Sequence, residues 1–223
     1  MRVRSTPLAG VLVIEPPRFR DARGRFLEAF HAERYAAAGV PGPFVQDNVS
    51  WSDPGVLRGL HLQHPNGQGK LVQVLRGAVW DVAVDVRVGS PTFGRWVGEE
   101  LSDENGRQLY IPPGFAHGFL VTGDEAVVAY KCTMYYDPSS ELVLRWDDPD
   151  LGVAWPEAPR VVGDRDRAGG SLAAALARGV LPDVAAAGVT TGLGDAVRRG
   201  GHAAPAIAPS WGDESLNPRG RPD

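Results

Sequence analysis

Two short segments of the chain gather the residue types that move protons. One is Arg58-Gly59-Leu60-His61-Leu62-Gln63, followed across a loop of Pro, Asn and Gly by Lys70. The other is Ile111-Pro112-Pro113-Gly114-Phe115-Ala116-His117-Gly118-Phe119. The histidines are His31, His61, His64, His117 and His202, and only His61 and His117 have such surroundings. A lone histidine is more often a structural residue than a catalytic one, so the neighbours single these two out. An imidazole takes and gives a proton near neutral pH. An arginine clamps an anion, and a lysine on the adjoining strand polarises a carbonyl oxygen. Base, anion clamp and electrophile therefore fall within reach of one hairpin.

The elements that must position these groups are strands. From residue 10 to about 156, short apolar runs alternate with turn signals, beginning with Val11-Leu12-Val13-Ile14. Lys70 to Val86 reads as a hairpin turning at Arg76-Gly77. In its second arm Trp80, Val82, Val84 and Val86 share one face, and Asp81, Ala83 and Asp85 the other, which suggests a strand between a core and a cavity or solvent. Further strands are expected at Gln108 to Ile111, Gly118 to Val121, Ala126 to Thr133 and Leu142 to Leu144. Helical segments are expected at Ala32 to Gly39, as a short turn in Ser102 to Arg107, and at Ser171 to Arg178. Neither GxGxxG nor GxxxxGK[ST] occurs, and no strand–helix alternation, so dinucleotide and P-loop folds are excluded. The fold class is all-β, and a double-sheet jelly roll best disposes of so many strand edges.

With 223 residues, 43% hydrophobic and 22% charged, the chain can bury a real core. A net charge of −4 argues against nucleic acid as a partner, leaving room for a local basic pocket that binds one small phosphorylated ligand. Cys132 is the single cysteine, which excludes an internal disulfide framework and suits a reducing cytoplasm. Pro16, Pro17 and Arg18 interrupt the N-terminus before any apolar stretch of signal-peptide length, and no run is apolar enough to span a membrane. The composition divides the chain into a domain over residues 1–183, closing with the Ser171 to Arg178 helix, and an Ala/Gly/Pro-rich tail over 184–223 that reads as disordered.

Pro112-x-Gly114-x-x-His117 resembles the second half of the cupin signature, which agrees with a jelly roll. A metal-binding cupin presents two imidazoles at i and i+2, on the same side of a strand. Here His61 and His64 stand at i and i+3, on opposite sides of an extended strand, so no metal site is expected. The longer match is to the dTDP-4-dehydrorhamnose 3,5-epimerase family, which the chain resembles in order from about residue 10 to 183. The segments are 21–28, Gln46-Asp47-Asn48, 56–61, Gln68-Gly69-Lys70-Leu71-Val72, 81–87 and 89–94. They continue with 113–119, Tyr130-Lys131-Cys132 with Tyr136, Asp148-Pro149-Asp150 and Asp164-Arg165-Asp166-Arg167. The resemblance implies a cupin-type jelly roll without metal or cofactor, a homodimer, and a dTDP-4-keto-6-deoxyhexose as substrate.

It also implies roles. A ketone at C4 acidifies the hydrogens at C3 and C5, so the reaction needs a base on one face, a proton donor on the other, and a group that stabilises the enolate oxygen. By resemblance these are His61, with Asp166 as its partner, then Tyr130, then Lys70. Asp166 sits in a run that by composition alone reads as solvated charge, and Gly163 stands where the family commonly has serine. Arg23 and Arg58 match positions suited to a diphosphate. Glu28, Gln46, Asn48, His117, Glu141 and Arg165 match substrate-contacting positions. Tyr136 matches the aromatic that stacks on thymine, with Tyr135 on the other strand face. Three rivals stay open: an epimerase that inverts one carbon, a metal-dependent cupin using His61, His64 and His117, and a binding module without turnover.

Overall fold

The computed structural model describes residues 1–184. In chain order the elements are β1 (Arg2–Ser5), β2 (Leu12–Glu15), β3 (Arg18–Asp21), β4 (Gly24–Leu27), α1 (Ala32–Ala37), β5 (Gln46–Ser52), β6 (Val56–Gln63) and β7 (Lys70–Asp85). Then come β8 (Trp96–Ser102), β9 (Gln108–Ile111), β10 (Phe115–Cys132), β11 (Glu141–Val143), β12 (Val161–Val162), α2 (Asp164–Arg167) and α3 (Leu172–Ala177). Helix α3 is capped by Ser171, whose hydroxyl accepts from the Ala174 N–H. The tail beyond residue 184 lies outside the described residues.

Two long strands build the architecture. The first half of β7 pairs with β9 and with the second half of β10, and its second half pairs with β8 and with the first half of β10. Strand β10 in turn takes β6 along its first half and β5 along its second. Each strand thus belongs to two sheets. One runs β1-β2-β9-β7-β10-β5, and the other β8-β7-β10-β6-β11, with β12 parallel to β6. This is a cupin-type jelly roll, and β3–β4 form a separate two-stranded sheet.

Lys70 to Val86 is therefore one strand and not a hairpin, and the two segments expected at 118–121 and 126–133 are one strand as well. The cause is visible at Gly77. Its φ is +79°, and a β-carbon there would overlap the Glu125 carbonyl oxygen. The glycine bends β7 from one sheet into the other without reversing it. Opposite, β10 makes a wider excursion between Val121 and Ala126, and Leu75 forms a bulge facing Val127 and Val128. The expected helical turn in 102–107 is a non-helical turn, closed by the Asn105 side chain, which accepts from the Ser102 and Arg107 N–H groups.

The largest cluster packs Val72, Val74, Leu109 and Ile111 of one sheet against Val79, Ala83, Leu101, Phe119 and Val121 of the other. A second gathers Leu60, Leu62, Val82, Val84 and Val86 beneath Leu172 and Leu181. Both faces of β7 are thus covered, and Asp81 and Asp85, on the face expected to meet a cavity or solvent, are fully buried. Asp85 survives there because the Arg87 guanidinium and the Ser90 and Thr92 hydroxyls all donate to it.

Strand β5 is patterned in reverse. Its inward residues are Gln46, Asn48, Ser50 and Ser52, while Val49 and Trp51 point out, Trp51 with 70% of its surface exposed. A strand that turns polar groups inward lines something wet.

Candidate active site

Where the second half of β10 meets β5 and β7, and β6 and β11 approach from the other sheet, the jelly roll holds a cavity of about 280 Å³. Its lining is Gln46, Asn48, His61, Leu62, Gln63, Gln68, Lys70, Tyr130, Tyr136 and Glu141. Register brings these together from distant sequence: Tyr130 faces Asn48 across one ladder, and Cys132 faces Gln46 on one side and Lys70 on the other.

His61 is positioned by two glycines. On β6 a β-carbon at Gly59 would collide with the Gly118 Cα, and one at Gly118 would press on the Arg58 carbonyl oxygen. Their close approach permits a bulge in which Gly59 and Leu60 oppose Gly118 alone, after which His61 stands directly opposite His117. The bulge leaves the Gly59 N–H free to donate to Asp166 Oδ2, at 3.0 Å. The other oxygen, Oδ1, lies 2.6 Å from His61 Nε2. Asp166 thus holds the imidazole from α2, itself a single turn whose four residues are all charged. Burial pushes the Asp166 carboxyl up, but the His61 bond, the His61 charge, the Gly59 N–H and nearby Arg165 outweigh it and hold it below the usual carboxylate value. An ionised carboxylate only accepts, so Nε2 carries the ring hydrogen and Nδ1 is left as the basic nitrogen.

Lys70 is desolvated. Burial lowers its pKa below the ordinary lysine value, with Cys132 and Asp81 opposing the shift. Tyr130 is raised, by burial first and Cys132 second, while Arg58 pulls in the other direction. A protonated phenol, an ammonium with a weakened hold on its charge, and a carboxylate-bound imidazole therefore share one cavity. That set can remove a proton, stabilise the oxyanion left behind, and return a proton from a different position.

Gln46, Asn48, His61, Lys70, Tyr130, Tyr136 and Glu141 line the cavity, and Asp166 is hydrogen-bonded to it. Arg165 pairs with Glu141, whose same oxygen accepts from the Tyr136 hydroxyl. Tyr135, 65% exposed, is outside the lining. His117 is too: it is buried with Nε2 donating to the fully buried Asp81 at 3.0 Å, and burial, ahead of every other influence, lowers its pKa. Arg58 lies beyond the lining with its guanidinium donating to Ser52 Oγ and the Trp51 carbonyl. Arg23 and Glu28 do not reach the cavity of their own chain. Arg23 pairs with Asp21 at the tip of the β3–β4 hairpin, and Glu28 with Arg34.

Three lining residues were not singled out, Leu62 and the polar Gln63 and Gln68. Gln63 Nε2 donates to the Asn66 and Tyr135 carbonyls and its Oε1 accepts from the Asp137 N–H, while Gln68 donates to the Met134 carbonyl. Both hold the 134–137 segment that carries Tyr136. The available signal was strand parity, since Gln63 lies two residues beyond His61. His64 does not line the cavity, and among the described residues no group of three His, Cys, Asp or Glu side chains is arranged to hold a metal ion.

Residues 5–174 match the family model for dTDP-4-dehydrorhamnose 3,5-epimerase. The enzyme of that name from Methanothermobacter thermautotrophicus is 52% identical over 155 residues, 70% of this chain and 84% of the relative. A dTDP-4-dehydrorhamnose 3-epimerase from Streptomyces niveus is 42% identical over 187 residues, 83% of this chain and 90% of the relative. The crystal structure of a dTDP-6-deoxy-D-glucose-3,5-epimerase from Legionella pneumophila, in complex with dTDP-4-keto-L-rhamnose, superposes with a TM-score of 0.79 at 49% identity, covering 82% of this chain and 97% of that one. Family model, relatives and cupin-type fold agree: the chain belongs to the dTDP-4-dehydrorhamnose 3,5-epimerase family, isomerases that act on sugar nucleotides.

Proposed function

We propose that this enzyme inverts C3 and C5 of dTDP-4-keto-6-deoxyglucose with His61 as general base, Tyr130 as general acid and Lys70 as the cation at O4. The observation that carries the assignment is that these three side chains line one cavity and that Asp166 holds the His61 ring. His61 Nδ1 takes the proton from the carbon next to the C4 ketone. The electron pair moves onto O4, where the Lys70 ammonium offsets the negative charge. Tyr130 delivers a proton to the opposite face, and the phenolate that remains is supported by the charge of Arg58. Both groups exchange with solvent before the second carbon reacts. Side chains carry every proton in this sequence, so it calls for neither metal nor redox cofactor.

For binding, Tyr136 stacks on the thymine, and Gln46, Asn48 and Glu141 hydrogen-bond the substrate with Arg165 beside them. Arg58 faces the diphosphate, while His117 supports the site from behind through Asp81. A homodimer accounts for the residues that miss their own cavity. The hairpin that bears Arg23 exposes Phe19 and Phe26, 60% and 67% accessible, and β5, which among the described residues pairs only with β10, exposes Trp51. Covering these surfaces with a second copy brings Arg23 and Glu28 towards the partner's cavity. A buried, unpaired Cys132 suits the reducing cytoplasm as the compartment.

The test is incubation with dTDP-4-keto-6-deoxyglucose in heavy water, reading deuterium at each carbon by NMR. Deuterium and inversion at C3 and C5 are expected. Exchange at one carbon makes this a single-site epimerase, and binding without exchange makes it a binding module. His61→Ala should lower exchange at both carbons by about 10²–10⁴-fold. Tyr130→Phe should still exchange but not invert; normal inversion removes Tyr130 from its role.

A further inference from the structure

At the mouth of the cavity three side chains from three separate segments meet on one oxygen. Glu141 Oε2, on β11, accepts from the Tyr136 hydroxyl at 2.6 Å and from the Arg165 guanidinium. The Glu141 side chain is 8% exposed and that of Arg165 55%. Arg165 directly precedes Asp166 on a one-turn helix with no side-chain cap. So short an element has little rigidity of its own. The Glu141–Arg165 pair is its side-chain tie to β11 and Asp166 its side-chain tie to β6, between backbone ties on either side, β12 to β6 before it and the Gly170 N–H to the Val143 carbonyl after it.

We propose that Glu141 is a positioning residue for the base: its carboxylate fixes and offsets the Arg165 charge, and thereby sets the proton affinity of the His61 imidazole that Asp166 holds. The inference deepens the assignment of His61 as base. The charged and titratable groups around His61 are Asp166 and Arg165 on α2, Glu141 on β11, Lys70 and Asp81 on β7, His117 and Tyr130 on β10, Arg58 on its own strand β6 and Tyr136 in the loop before β11. Among them Arg165 and Glu141 form a pair of opposite charges at the solvent edge. Removing either leaves the other uncompensated, so the two removals act with opposite sign. The Arg165 charge already favours the ionised form of Asp166.

The experiment is an NMR titration of the His61 ring in the full chain, assigned by comparison with His61→Asn. With Glu141→Gln the uncompensated guanidinium should move the His61 midpoint down by about half a pH unit; with Arg165→Gln it should move up by as much, the size of one charge acting through partly solvated space. The double variant should return close to the starting value, Glu141→Asp should restore it, and salt should shrink both shifts. Absent shifts, or two shifts of the same sign, overturn the proposal. Because the titration needs no turnover, it is independent of the mechanism. If the midpoints move as expected while the acid limb of kcat/KM stays in place, the coupling stands and His61 is not the base.

Discussion

Lys70 is the residue whose surroundings bear on the alkaline limit of the proposed reaction. Burial favours its neutral form, whereas an enolate needs it charged. Burial lowers the Lys70 pKa from the usual lysine value and raises that of Tyr130 from the usual phenol value, so it moves the loss of the lysine charge towards neutral pH and the loss of the phenol proton away from it. The alkaline limb of kcat/KM should therefore belong to Lys70. Lys70→Arg, with a guanidinium charged beyond pH ~12, should move that limb upward at reduced activity. Initial rates across the alkaline range check this; a limb left in place assigns it to another group. The same surroundings mean that folding works against the charged lysine at neutral pH. That is the pattern of a functional residue held at some cost in stability.

At the scale of the element, the site depends on how β7 and β10 change sheets. Gly77 allows β7 to cross between them, and its positive φ and contact with the Glu125 carbonyl leave no room for a side chain. Gly77→Ala should destabilise the fold by about 2–4 kcal/mol, as backbone strain adds to overlap. Urea unfolding measures it, and a loss under about 0.5 kcal/mol, the usual size of a surface effect, would mean that the bend tolerates a β-carbon. The polar inward face of β5 belongs to the same level. Gln46, Asn48, Ser50 and Ser52 alternate with Asp47, Val49 and Trp51, a pattern of period two in which the apolar members point away from the protein interior.

For the whole molecule, that inverted pattern makes the proposed dimer testable. An exposed Trp51 and the Phe19–Phe26 pair, with ring centroids 6.4 Å apart, are surfaces that association would bury. Trp51→Glu and Phe26→Glu should each yield a monomer in sedimentation velocity, with a raised KM if Arg23 reaches the partner's cavity. A wild-type monomer, or a dimer indifferent to both changes, removes this interface.

Strand periodicity and turn residues determined the all-β class and made a jelly roll the expected architecture, because these follow from local alternation, and the order of motifs carried the resemblance to the family and, through it, the candidate site residues. Gln46, Asn48 and Tyr130 were placed by that resemblance, since by type alone the first two read as surface residues and Tyr130 as a core aromatic. What depends on contacts distant in sequence was decided only by the tertiary structure. Gly77 reads as a turn by type, and its neighbours on β10 make it a bend. Asp166 reads as solvated charge by composition, and the bulge at Gly59 that Gly118 permits turns it towards His61. His117 and Asp81 stand 36 residues apart, and pairing of β7 with β10 joins them out of solvent. A side chain's charge and size are written in its own letter, but its partner and its access to water are properties of the assembled sheets.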